Sequence, residues 1–318
     1  MDTRELFSRI TRLPISAHGL ATGMMAGSFR SVFRGQGMEF DEARHYQWGD
    51  DAKSIDWNAS TRLGTPFVKV FREERELSIL LLLDTSASMH SGIARPLGSV
   101  SGDDGGASGQ KLSPYEQALL AAALMAFSAE RSGQRVGAFL FDRGIDRVFP
   151  PGKGRSTVMA FVSGALKYHR PRPATLQPGA GPRTSDLQAA IARIGPMLKR
   201  RSMVVVISDF LSAGWEQEMG KLGRRHDVIA VRVHDPDDTD LPDMGLLSAA
   251  DPETGIRIAA PTGSASFREA WSLWHGDRAE LWQKLCRRAG AAPLELPVTQ
   301  DAATVLTRFF GGRARGGS

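Results

Sequence analysis

Two stretches of the 318-residue chain are apolar almost without interruption, and each runs straight into small polar residues. Residues 77–83, Leu-Ser-Ile-Leu-Leu-Leu-Leu, lead into Asp84-Thr85-Ser86-Ala87-Ser88, and residues 203–207, Met-Val-Val-Val-Ile, lead into Ser208-Asp209. Runs this short and this continuous predict strands buried on both faces, as in the middle of a parallel sheet. Between and after them the pattern switches to helical spacing. Helices are predicted at 115–131, 157–168, 184 to about 199, 216–225 and 267–289, and further strands at 136–141, 145–149 and 228–233. Strands alternating with helices predict an α/β fold with an open, mainly parallel, doubly wound sheet flanked by helices. The strand at 145–149 follows its predecessor too closely for a crossover and reads as the second arm of a hairpin, closed by Pro150-Pro151-Gly152.

The ends of the chain follow a different pattern. A short helix is predicted within residues 2–12, stopped by Pro14, and glycine-rich loop with short extended pieces over 19–44. Alternation over 67–72 predicts a strand. Residues 246–250 and 256–260 read as a β-hairpin, expected to pair with that N-terminal strand segment as a small side subdomain. The helix at 267–289 carries Trp271, Trp274, Trp282 and Leu285, expected in the core. Residues 294–297 are expected as an edge strand and 304–310 as a closing helix, with a disordered tail from Gly311. Residues 91–111 are rich in Gly, Ser and Asp and predict a mobile insertion, and 170–182 an extended linker. The organisation this implies is an N-terminal segment 1–76, a core 77–235, and residues 236–310 completing the same domain; no internal repeat is visible.

Composition narrows the setting. One cysteine, Cys286, excludes an internal disulfide and a cysteine-based metal site, and suits a reducing compartment. Its place in a predicted helix points to a buried, idle thiol. No apolar run approaches the ~18 residues of a membrane helix, and residues 1–14 lack the apolar block of a secretion signal, so no membrane span and a cytoplasmic location are expected. The net charge of +5 is mild and spread along the chain.

The chemistry concentrates after the first apolar strand. Ligands in open α/β sheets bind beyond the carboxyl ends of the strands, and here the chain places Asp84, Ser86 and Ser88 at alternate positions. A turn leaving the strand can aim all three at one point. Carboxylate and hydroxyl oxygens suit Mg²⁺, or Mn²⁺ or Ca²⁺, over softer metals. One carboxylate and two neutral hydroxyls leave such an ion short of negative charge and receptive to an acidic group from outside. The competing reading of Asp-Thr-Ser after a strand is a helix N-cap.

The string Asp84-Thr85-Ser86-Ala87-Ser88 resembles the D-x-S-x-S motif of the metal-ion-dependent adhesion site in von Willebrand factor A-like domains. A second resemblance precedes it. Gly27-Ser28-Phe29, Arg34-Gly35-Gln36-Gly37-Met38-Glu39-Phe40, Arg44-His45-Tyr46, Gly49-Asp50-Asp51, Ile55-Asp56-Trp57 and Arg62 look, in that order, like the signature of the domain of unknown function 58 family. The likeness spans roughly residues 20–310, with Thr61 standing where that family usually carries Ala. It implies a von Willebrand A-like domain behind the signature. It also implies two further oxygen ligands: a hydroxyl ahead of a helix, Thr184 or alternatively Ser185, and an acid at the end of the neighbouring strand, Asp209. Asp186 is then a helix cap. The resemblance implies a non-catalytic, metal-dependent adaptor or scaffold that binds a partner's Asp or Glu carboxylate, in company with a MoxR-type AAA+ ATPase. Within the signature itself, the alternative to a ligand site is a buried network in which Arg44 and Arg62 pair with Asp50, Asp51 or Asp56 while Tyr46, Trp48 and Trp57 pack.

A metal-dependent phosphoester hydrolase of the haloacid dehalogenase kind needs a second Asp two residues after the first, and Ser86 stands there. No G-x-S-x-G elbow, H-E-x-x-H or P-loop is present, and His90 reads as a solvated histidine. Nucleic-acid binding would use Lys199-Arg200-Arg201, Arg224-Arg225 and Arg287-Arg288, yet each cluster falls at the C-terminal end of a predicted helix, where cations complement the dipole. No nucleic-acid partner is expected.

Overall fold

The computed structural model describes residues 5–10, 39–72 except 49, 52 and 53, 78–90, 112–169, and 186–315 except 252, 254 and 255. The expected insertion 91–111, the linker 170–182, and both Thr184 and Ser185 lie outside these residues. The chain forms two compact units, residues 30–76 and residues 1–29 with 77–318. A short helix at residues 5–10 (α1) belongs to the larger unit and buries Leu6 and Ile10.

In the smaller unit, β1 (Glu39–His45) pairs antiparallel with β2 (Phe67–Arg72), and α2 (Trp57–Leu63) lies between them in sequence. Asp56 caps α2 by accepting from the N–H groups of Asn58 and Ala59, and Gly64 ends it at φ 72°, the left-handed geometry glycine adopts freely. Part of the expected charge network is present. Arg44 holds Asp50 through two bonds of 2.7 and 2.8 Å, and Asp50 also accepts from Gln47 N–H. The aromatic half is not: Trp48 and Trp57 are exposed. A two-stranded ribbon with a two-turn helix has too little interior to cover them.

The larger unit is built on a six-stranded sheet of order β10-β7-β6-β3-β4-β5. In chain order its elements are β3 (Ser78–Asp84), α3 (Pro114–Arg131), β4 (Arg135–Phe141), β5 (Ile145–Gly152), α4 (Arg155–Ala165), α5 (Leu187–Ile194), β6 (Met203–Ser208), α6 (Glu216–Gly223) and β7 (Asp227–His234). A separate hairpin follows, β8 (Leu246–Ala250) with β9 (Arg257–Pro261), then α7 (Ala265–Arg288), β10 (Ala291–Pro297) and α8 (Ala302–Arg315). Every pairing in the large sheet is parallel except β4 with β5. β3 and β6 are buried along almost their whole length, the reason their sequences are unbroken apolar runs. From β3 the chain steps outward to β4 and β5, then returns to the other side of β3 as β6. The strand order therefore reverses between β3 and β6.

One face of the sheet carries Leu80, Leu82, Val204, Val206, Val228 and Ala230 against Ile191, Trp215, Met219 and Trp282. The long buried helix α3 starts with a reciprocal cap between Ser113 and Glu116.

Four expectations need correcting. At the end of the stretch expected as loop with short extended pieces, residues 39–45 form a full strand, β1, because they find a ladder on β2. The hairpin β8–β9 is a sheet of its own, since β1 takes β2 and β8 takes β9 as partner. In α7 only Trp282 and Cys286 are buried, while Leu273 and Trp274 are exposed. At ~1.5 Å per residue the 24-residue helix outruns the sheet it packs on, so only its C-terminal half finds cover. The tail expected to be disordered from Gly311 instead continues α8 to Arg315, with Phe310 buried and Arg313 donating to Asp227 Oδ1 at 3.0 Å.

Candidate functional site

Parallel register puts Asp84, Ser208, Arg232 and Glu295 at one level across β3, β6, β7 and β10: Leu83 lies beside Ile207, Ser208 beside Arg232, and Arg232 beside Glu295. Two residues earlier the same positions are Leu82, Val206 and Ala230, all in the core. The inward face of the sheet thus turns polar at its carboxyl edge, where the strand order reverses.

Asp84 and Ser86 are fully buried, and Ser88 nearly so. Ser86 N–H donates to Asp84 Oδ1 at 2.9 Å, and the Ser86 and Ser88 hydroxyl oxygens lie 3.0 Å apart. Thr85 points the other way, its N–H and hydroxyl both donating to the Phe141 carbonyl at 2.8 and 2.9 Å. That contact ties the loop to the end of β4 and produces the alternation read from the sequence. No α-helix starts here; a single 3₁₀ turn, Ser88–His90, follows.

Asp209 follows β6. Its Oδ1 accepts from Leu211 N–H at 3.0 Å, and Ser88 also hydrogen-bonds its carboxylate. Its Oδ2 is shut off from solvent with no hydrogen-bond partner. Burial, then the Asp209 charge, pushes the Asp84 carboxyl up to about 8, against the opposing donors Ser208 and Ser86. Burial likewise raises Asp209, opposed by Ser88, Leu211 N–H and the Arg278 guanidinium. The two carboxylates are therefore neighbours in a site that holds them poorly as anions.

Thr184 and Ser185 lie outside the described residues. Asp186, just after them, caps α5 by accepting from Ala189 N–H at 2.7 Å, and its own N–H donates to the Asp142 carbonyl beyond β4. His90, expected in solvent, is mostly buried with its ring 4.6 Å from Tyr115, and burial lowers it to about 4.

Ser208 was missed as a site residue. It is buried and donates to Asp84 Oδ2 at 2.6 Å. The signal was its parity, since it occupies the inward position of β6 opposite Asp84. Arg278 was missed as well, because nothing in the sequence of a long helix tells which arginine will face the strand ends.

The donors fit a hard divalent cation. Two carboxylates destabilised by burial, Asp84 also by the charge of Asp209, gain most from a positive charge, and one carboxylate oxygen stands unpartnered. Neutral hydroxyls complete a set that a softer metal would not choose. Among the described residues no three His, Cys, Asp or Glu side chains gather as a metal site, so an ion here depends on the serine hydroxyls.

The fold and site define a mixed α/β protein with a mainly parallel sheet and a carboxylate pair, Asp84 buried and Asp209 partly so, where its strand order reverses. The chain belongs to the family described as Protein of unknown function DUF58, whose model matches residues 42–278. It is 29% identical over 324 residues to the uncharacterized protein Rv1480 of Mycobacterium tuberculosis, covering 99% of this chain and 92% of that protein. An uncharacterized protein of Mycobacterium avium, MAV169, is 34% identical over 132 residues, covering 41% of this chain and 78% of that one. Among solved structures, the conserved hypothetical protein BatB from Bacteroides thetaiotaomicron superposes with a TM-score of 0.44 at 14% identity, over 75% of this chain and 99% of that chain. An aerotolerance-related membrane protein from Bacteroides fragilis gives 0.42 at 15% identity, over 76% and 99%. In the present chain no helix among the described residues is long and apolar enough to cross a membrane.

Proposed function

We propose that the larger unit is a von Willebrand A-like domain that binds a divalent cation, Mg²⁺ by preference of its donors, and through it a carboxylate of a protein partner. The pairing of Asp84 with Asp209 carries this reading. Two neighbouring carboxylates, Asp84 buried and Asp209 partly so, flanked by Ser86, Ser88 and Ser208, would be stabilised together as anions by a bound cation. An antiparallel edge strand on an otherwise parallel sheet, with the site where strand order reverses, supports the domain type. Ser86 and Ser88 hold the ion directly, with Thr184 or Ser185 as a further hydroxyl, while Asp84 and Asp209 act directly or through water. Ser208 orients Asp84.

The bound ion supplies one thing, an electrophilic position that neutral hydroxyls leave under-charged, and a carboxylate from outside satisfies it. No second acid stands two residues after Asp84, so the general acid of a haloacid dehalogenase-type hydrolase is missing, and binding is the reading we favour for the site. The resemblance to the domain of unknown function 58 family adds a MoxR-type AAA+ ATPase as partner and assembly or maturation of a complex as the role, in the cytoplasm.

Isothermal calorimetry with Mg²⁺ on the wild type and Asp84→Ala tests the site. Loss of the binding heat in a variant that keeps its circular dichroism supports the assignment, and unchanged affinity overturns it. A pull-down with the ATPase in Mg²⁺ and in EDTA tests the partner, and retention in EDTA speaks against a metal-bridged contact.

A further inference from the structure

Beside Asp209 the protein keeps a cavity of about 380 Å³ whose lining includes Phe210, Leu211, Trp215, Trp274, Leu281 and Trp282. Most of these are large and apolar, and three are solvent-facing: Leu211 is 52% exposed, Trp274 51% and Leu281 56%. Clustered exposure of this kind marks an interaction surface. The loop that supplies Asp209 to the carboxylate pair supplies Phe210 and Leu211, the next two residues, to the cavity. Arg278 stands at the junction. It donates to the Leu211 carbonyl at 2.9 Å, its guanidinium lies 5.3 Å from the Trp274 ring centroid, and its charge acts on Asp209. Two further lining residues are acidic, Glu216 and Asp277.

We infer that this cavity is the second half of the partner site: a partner segment whose acidic residue reaches the cation between Asp84 and Asp209 seats a neighbouring bulky apolar side chain among Leu211, Trp274 and Leu281. The inference rests on the metal reading proposed above and adds which acidic segment is chosen. Arg278 favours the acid at the end of the cavity beside Asp209. Glu216 and Asp277 disfavour a second acid within it, so an acid-apolar pair is selected over an acidic run. A tryptophan-walled cavity next to a charge anchor has the composition of an interface hot spot.

The test uses the full chain and four acetylated, amidated hexapeptides, glycine apart from the named residues: one with Asp next to Leu, one with Asp alone, one with Asp next to Glu, and one with Asn next to Leu. Binding is followed by tryptophan fluorescence in Mg²⁺ and in EDTA, with Mg²⁺ affinity measured by calorimetry on the same sample. The Asp-Leu peptide should bind about tenfold or more tighter than the Asp-only and Asp-Glu peptides, as burial of one leucine side chain requires. That preference should vanish in Leu281→Ser, an exposed position whose Mg²⁺ affinity should stay at the wild-type value. Equal Mg²⁺-dependent binding of the Asp-Leu and Asp-only peptides overturns the cavity assignment and leaves the metal reading standing. Absence of Mg²⁺ binding in calorimetry overturns both. A dimer that Leu281→Ser dissociates in sedimentation assigns the surface to a second copy of this chain and overturns the inference.

Discussion

Ser208 Oγ donates to Asp84 Oδ2 across 2.6 Å, joining the ends of two adjacent strands 124 residues apart in sequence. The same hydroxyl oxygen accepts from Phe210 N–H at 3.1 Å. One serine therefore aims the carboxylate of β3 and shapes the loop that carries Asp209. With Ser86 N–H on Asp84 Oδ1, both oxygens of that buried carboxylate have a donor. Asp209 is the member left with a bare oxygen.

Ser208→Ala should lower the stability of the metal-free protein by about 1–3 kcal/mol, since a buried carboxyl oxygen and a backbone N–H each lose a partner. It should also push the Asp84 carboxyl further up, because a donor that stabilises its charge is gone. Urea denaturation in EDTA reads the first effect. Weaker Mg²⁺ binding near neutral pH, recovered on raising the pH, reads the second.

Stability of the metal-free protein should fall as pH rises through the range set by the carboxylate pair. Asp84 in the folded chain holds its proton to about 8, against an ordinary value of 3.8, and Asp209 is raised too. Below the ordinary value both folded and unfolded chains are protonated and this pair imposes no penalty. Above it the unfolded chain releases protons that the folded chain retains, and the favourable difference is lost progressively up to about pH 8. Mg²⁺ must displace those protons, so its affinity should strengthen over the same interval. Thermal unfolding in EDTA and in Mg²⁺ should show a larger stabilisation by the ion at pH 8 than at pH 5.5. The reverse order would contradict the coupling.

What was legible in the sequence is what hydrophobic burial writes directly. β3 and β6 are covered on both faces, so they appear as continuous apolar runs, and the polar residues ending them fall where the sheet edge needs them. The polar ends Asp84-Thr85-Ser86-Ala87-Ser88 and Ser208-Asp209 were readable for that reason, and Asp209 entered as a candidate ligand through the resemblance. Ser208 was not singled out, because its role depends on lying across from Asp84, a matter of register between distant strands. Trp274 was misread because helical spacing reports which side of a helix is apolar, and not how far the partner surface extends along it. Gly311 and Gly312 signalled a loose tail by composition, whereas Phe310 in the core and the Arg313–Asp227 pair hold the helix on both sides of them. The exposed Trp48 marks the converse limit, since the alternative of aromatic packing in the signature needs a unit large enough to enclose the ring.

Cys286 should be silent toward thiol reagents in the native protein. It is fully buried on α7 in the cluster that contains Trp282 and Phe210, and burial pushes its thiol up to about 12. The reactive thiolate is scarce and shielded at neutral pH. Reaction with a chromogenic disulfide should be near zero in buffer and reach one equivalent in urea, matching the single cysteine of the chain. Prompt native labelling would place α7 off the sheet.

Phe210 is the one described non-glycine residue with a left-handed backbone, at φ 55°. That conformation costs an L-residue roughly 1–2 kcal/mol. Its ring is buried 5.2 Å from Trp215 and 5.4 Å from Trp282 between centroids, and removing such a side chain costs about 3–5 kcal/mol. Packing wins, which is why a phenylalanine is held where glycine would be at ease. Phe210→Gly should therefore destabilise by about 2–4 kcal/mol, strain relief offsetting part of the lost packing. Phe210→Ala loses nearly the same packing and keeps the strain, so it should be the less stable of the two by about 1 kcal/mol. In ordinary strand or helix positions glycine is the less stable of that pair. Chemical denaturation of both variants decides the matter: alanine more stable than glycine would mean that the loop after Asp209 relaxes out of its left-handed turn once the ring is gone, and that Phe210 packing, rather than the Ser208 hydrogen bond, imposes the shape of the site.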